Sequence, residues 1–138
     1  MATSILKEKS YLFAIRVVKL NQHLCHEKNE YVLSKQLLRS GTAIGALIRE
    51  AEFGQSRADF RSKMSIALKE ANETDYWLNL LKDTNYINEK VFMSFSDDCL
   101  ELISILVATV KQCRKHAVIS FILIRFTFSL SLFVISFS

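Results

Sequence analysis

The chain has 138 residues, half of them apolar, which suits one domain with a modest core. The absence of proline and the count of three glycines argue against turn-rich all-β folds and for helices. The net charge of +4 is modest, and Cys25, Cys99 and Cys113 have no CxxC or metal-finger spacing; they fall among apolar helical positions and read as core fillers with free thiols in a reducing cytoplasm.

The opening MATSILKEKS has no long apolar run after its charges, so it does not read as a secretory signal. The first predicted helix runs from about Leu6 to Lys28, with Leu6, Phe13, Val17, Leu20 and Leu24 on one stripe. Asn29 and Glu30 make a polar break. The second helix runs from about Tyr31 to Phe53, with Leu33, Leu37, Gly41, Ile44, Ile48 and Ala51 facing inward, and Gly54 stands where a C-terminal glycine belongs. Ser56 is a good N-cap for the third helix, with Asp59 three residues on. Phe60, Met64, Ala67, Ala71, Thr74, Leu78 and Leu81 then keep alternating steps of four and three, a coiled-coil-like seam. Thr84 to Tyr86 ends that helix. Asn88 caps the fourth, predicted to continue to about His116. It carries one stripe of Phe92, Phe95, Cys99, Leu102 and Leu106 and a second of Leu100, Ile103, Val107 and Val110, more than one bundle face requires. Four helices of about 22–28 residues with short links predict an all-α, antiparallel up-down-up-down four-helix bundle over residues 1–116.

The second helix holds two of the three glycines, Gly41 and Gly45, each costing roughly 0.8–1 kcal/mol of helix propensity. With Ser40, Ala43 and Ala46 they strip bulk from about one and a half turns. A neighbouring helix can then approach closely on more than one side; the alternative is a kink at Gly41 with no packing role.

The stretch QLLRSGTAIGALIREA from Gln36 to Ala51, then Ser56–Phe60, then ALKEANETDYWLNLL from Ala67, resembles the four-helix bundle family encoded by intervening sequences in bacterial 23S rRNA genes. The accessory variability determinant proteins of diversity-generating retroelements resemble the same family. The match spans roughly Ser10 to Lys115 in order and spacing. It implies a bundle that assembles as a ring-like homopentamer and, in the retroelement branch, binds nucleic acid and partners a reverse transcriptase. Most members have no established activity. This chain departs from the pattern at Leu47, where the family commonly has a polar residue, often asparagine, and in continuing for 22 residues beyond the basic end of the fourth helix.

Charge is unevenly distributed: Lys35 to Lys69 holds seven basic and three acidic residues, Glu70 to Glu101 two basic and eight acidic. Folding the chain up and down gathers Lys7, Lys9, Arg49, Arg57, Arg61, Lys63, Lys111, Arg114 and Lys115 at one end. The other end collects carboxylates, Glu30 and Asp98 among them. A ring of like-oriented subunits would sum the basic poles into a rim able to bind phosphate backbones of RNA or DNA without sequence preference. Arg57 and Arg61, one turn apart, are the sharpest candidates. The alternative is a solvated surface of paired charges. Phe53 and Phe60 are the only aromatic residues interleaved there, so base stacking is not supported at this level.

Glu70 and Glu73 share a stripe with Ile66, Trp77 and Leu80, which raises a di-iron reading. None of His23, His26 and His116 follows a glutamate by three residues, so that reading is set aside. No phosphate loop, nucleophile elbow or cysteine–histidine constellation appears, and neither catalysis nor a cofactor is expected. The mixed stripe suits a subunit interface anchored by Trp77, joined by Leu100, Ile103 and Val107 of the fourth helix; alternatively Trp77 completes its own core. The second functional reading is a scaffold that binds only protein, with or without a membrane.

Residues 117–138, AVISFILIRFTFSLSLFVISFS, hold 15 apolar residues and one charge. The length fits a membrane helix. Lys111, Arg114 and Lys115 would keep the body cytoplasmic, while Arg125 disfavours insertion by roughly 2.5–3.5 kcal/mol. Phe126 to Leu132 alternates as a strand would. Membrane anchor, packed extension and appended non-native frame all remain open.

Overall fold

A computed structural model describes the backbone of residues 2–135 and the side chains of residues 3–121. Four helices follow one another: α1 Ala2–Lys28, α2 Leu33–Glu52, α3 Arg57–Asp83 and α4 Glu89–Ile135. Contacts between distant residues set their directions. Lys7 near the start of α1 meets Glu52 at the end of α2, Lys63 near the start of α3 meets Glu50, and Lys82 at the end of α3 lies over the Phe92 ring at the start of α4. Each neighbour therefore runs antiparallel to the last, as short links dictate.

The four predicted stripes meet in one core. Phe13, Val17, Leu24, Leu37, Ile44, Ile48, Met64, Leu78, Leu81, Leu102 and Leu106 are all at most 2% exposed. Burying each such side chain stabilises by about 1.5–3 kcal/mol, so the seams dominate the fold. Val110, assigned above to the outer stripe of the fourth helix, belongs to the core.

Small residues let α2 approach both neighbours. A Cβ on Gly41 would stand 2.9 Å from Val17 Cγ2 of α1, and one on Gly45 would stand 3.4 Å from Ser10 Oγ. On the α3 side, Thr74 donates its hydroxyl to Ser40 Oγ at 3.0 Å, both side chains fully buried. Among the described residues no buried side-chain nitrogen or oxygen lacks a hydrogen bond.

The helix ends differ from expectation in three places. Gly54 does not adopt a positive φ; the left-handed residues are Asn29 (φ 51°) and Asn85 (φ 62°). At α3, Asn85 N–H donates to Lys82 O and Tyr86 N–H to Leu81 O, the paired bonds of a Schellman ending. Gly54 is instead needed for space, since a Cβ there would lie 3.1 Å from both Ala51 O and Asp59 Oδ2. Glu30 is not an exposed polar break: it is 6% exposed. Its carboxylate accepts Val32 N–H at 3.0 Å, Leu33 N–H at 2.8 Å and Ser34 N–H at 2.6 Å, capping α2 from outside the helix. Ser56 and Asn88 cap as predicted, accepting Asp59 N–H at 3.1 Å and Val91 N–H at 2.9 Å.

The third difference is α4, which does not stop at His116 but continues to Ile135, so the strand-like alternation of Phe126 to Leu132 gives no strand. The physical reason is plain in the sequence. After Gly54 there is neither glycine nor proline, and nothing beyond His116 terminates a helix already propagating. Side chains of residues 122–138 lie outside the described set, and with them most of the apolar segment. Among the described residues no helix is long and apolar enough to cross a membrane.

Candidate nucleic-acid interface

The axial register of the helices decides which cations share an end. Lys9 Nζ lies 3.0 Å from Glu101 Oε2 of α4. At about 1.5 Å per residue, the start of α1 at Ala2 falls level with about residue 108 of α4. Lys111, Arg114 and Lys115 therefore stand beyond α1, on a part of α4 that flanks only the start of α3.

This splits the predicted basic pole into two tiers. The inner tier is paired. Lys7 meets Glu52 at 2.6 Å, Lys9 meets Glu101, and Lys63 meets Glu50 at 2.6 Å. The Glu50 hydrogen bond raises the Lys63 ammonium above its ordinary pKa. Arg49 packs its guanidinium 5.3 Å from the centre of the Tyr11 ring. Lys9 and Lys63, gathered above into the basic pole, are thus each paired with a carboxylate.

The outer tier is unpaired. Among the described residues Arg57, Arg61, Lys111, Arg114 and Lys115 meet no carboxylate. Arg57 and Arg61 reach α4: with Phe60 of α3 and Cys113, His116 and Phe121 of α4 they line a groove of about 580 Å³. Phe53, at the end of α2, does not line the groove and is 85% exposed. His116 and Phe121 had no place in the predicted site; only the overhang of α4 past α1 brings them to Arg57.

The opposite end is less acidic than the sequence implied. Asp98, expected there, lies midway along the bundle, tied to Arg16 in the middle of α1, which also donates to Ser94 O at 3.2 Å and lies 4.2 Å from the centre of the Phe95 ring. Glu30 is buried beneath the α1–α2 link. Burial alone would raise its pKa, but the N–H groups of Leu33, Ser34 and Val32 and the Ser34 hydroxyl outweigh it and hold the carboxylate below the ordinary value.

The carboxylates of the mixed α3 stripe serve as structural partners. Arg39 of α2 bonds both Glu70 and Glu73, and the Trp77 indole donates to Glu73 Oε1 at 3.0 Å. Arg39, first in effect, and Trp77 lower the Glu73 pKa. Among the described residues no three histidine, cysteine or acidic side chains converge as metal ligands would. Trp77 and Ile103 pack partly against the core; Leu80 and Val107 are half-buried. Ile66 and Leu100 remain 39% and 51% exposed, on α3 and α4 respectively. A further apolar face went unassigned: Tyr11, Leu12, Ile15 and Val18 project outward from α1. Its three-residue steps were visible in the sequence, offset from the core stripe.

Comparison with known proteins places this geometry in context. Residues 3–108 match the family model described as 23S rRNA-intervening sequence protein. A crystal structure of a protein of unknown function, from the S23 ribosomal protein family of Bacteroides thetaiotaomicron VPI-5482, is 52% identical. The similarity covers 80% of this chain and 99% of that one, with a TM-score of 0.79. No protein with a curated description matches. The matched region ends where α4 leaves the start of α1.

Proposed function

The chain belongs to the 23S rRNA-intervening sequence protein family, and from that premise we propose that it is a non-catalytic, oligomeric bundle protein that holds RNA or DNA by the phosphate backbone. The observation that carries this reading is the outer tier: five cations from α3 and α4, none with a carboxylate partner among the described residues. Cations without internal partners exchange their counterions for phosphates, and the counterions released from the nucleic acid supply the free energy. The inner tier contributes less, because each of its lysines must first leave a glutamate.

The exposed apolar positions on α1, α3 and α4 support assembly of several copies, in which the outer tiers of like-oriented subunits would add. The experiment is filter binding of the full chain to a structured RNA and to duplex DNA at low salt, then at rising salt. Binding that weakens steeply with salt supports the reading. Absence of binding to both at low salt rejects it in favour of a scaffold that takes protein partners only.

A further inference from the structure

Resting on the backbone-binding reading, we propose that the groove between α3 and α4 receives an unpaired base, so that the site selects single-stranded or looped nucleic acid over duplex. The groove has the right contents. Phe60 and Phe121 line it from opposite helices, and Arg57, Arg61 and His116 line it with them. Phe121 is 66% exposed, which leaves its ring available to a flat partner. None of the five makes a side-chain hydrogen bond or ion pair among the described residues. The volume of about 580 Å³ falls within the range of about 300–1,000 Å³ seen for small-molecule sites, ample for one nucleotide.

Charge and shape together fix the occupant. Cationic groups lining a mostly apolar slot suit a ligand with anionic linkages on either side of a flat ring. A strand with splayed bases offers that; a duplex keeps its bases stacked inside and presents phosphate alone. Arg57 and Arg61 would hold phosphates while the base lies between the two phenyl rings. This adds base contact to a pole whose sequence, with its scattered aromatic residues, gave no sign of it. Phe121 comes from α4 beyond the region shared with the family, so the selectivity would be a property of this chain rather than of the shared bundle.

The test uses the full chain with an oligouridylate and a duplex of equal length, and with the same oligouridylate carrying 5-iodouridine for photocrosslinking. The expected result is tighter binding of the single strand at one fixed salt concentration, with crosslinks mapping to Phe60 or Phe121. Phe121→Ala should weaken single-strand binding about tenfold and leave duplex binding unchanged. Phe60→Leu keeps apolar packing, removes the ring and should act in the same direction, with helicity checked by circular dichroism. Equal affinity for strand and duplex, or crosslinks only outside the groove, overturns the base-slot proposal and leaves backbone binding standing. Failure of both nucleic acids to bind overturns the underlying reading as well.

Discussion

Where α1 hands over to α2, Glu30 commits its carboxylate to three backbone N–H groups and is buried beneath the link. Where α3 begins beside α4, at the other end of the bundle, Arg57 and Arg61 stand in a groove with no carboxylate partner among the described residues. At the first, the charge is satisfied from within; at the second, the two arginines of the groove are left without a carboxylate. Both use ionised side chains near a helix N-terminus, yet a carboxylate fits the partial positive charge there and an arginine does not. One arrangement closes the fold. The other has charge to offer a partner.

The contrast breaks first on stability. Glu30→Ala strips a charged acceptor from three N–H groups and should cost about 1.5–3 kcal/mol or more, read as a lower urea midpoint. Arg57→Glu with Arg61→Glu should stay within about 0.5 kcal/mol of the parent in the same assay. Equal losses at the two ends would erase the distinction.

The packing between the ends gives the next effect. Gly41→Ala drives a Cβ to 2.9 Å from Val17 Cγ2 and should destabilise by about 1 kcal/mol or more, as overpacking does. Gly45→Ala meets only ordinary contact at 3.4 Å and should be neutral or stabilise by up to about 1 kcal/mol through helix propensity. Thermal melts of the two variants should move in opposite directions or differ by several degrees.

Acid sharpens the same comparison. The Glu30 pKa is lowered on folding, so its contribution is fully present above the ordinary carboxylate value of 4.5 and is lost as pH falls through the lower folded value. Glu30→Gln should flatten the fall in stability below about pH 4.5, measured by urea titration at several pH values. Arg57→Glu with Arg61→Glu should not flatten it. Smallest of all, Lys9→Ala and Lys63→Ala remove exposed, solvent-screened ion pairs and should leave the urea midpoint nearly unchanged.

How much of this was legible follows from what each feature depends on. Helical seams are written in local spacing, and Leu6 through Leu24 or Met64 through Leu81 could be read directly. The Ser56 and Asn88 caps are local too. The Glu30 cap was missed because the carboxylate lies two residues before the formal N-cap, Val32, outside the usual capping pattern. The pairing of Lys9 with Glu101 spans 92 residues and depends on axial register, which short links leave free by a turn or more. The same register brings Phe121 to Phe60 and separates the paired tier from the unpaired one. The continuation of α4 was present in the sequence as an absence of stop signals, but its apolar composition and alternation drew the reading elsewhere.

The salt dependence of nucleic-acid binding, for the parent and for Arg57→Glu with Arg61→Glu, bears most directly on the division into tiers. With five free cations the parent's plot of log affinity against log salt should have a slope near about −4.5 on duplex DNA, and the double variant should lose about two units of it. An unchanged slope, or a larger loss from Lys9→Ala with Lys63→Ala than from the arginine pair, would contradict the account.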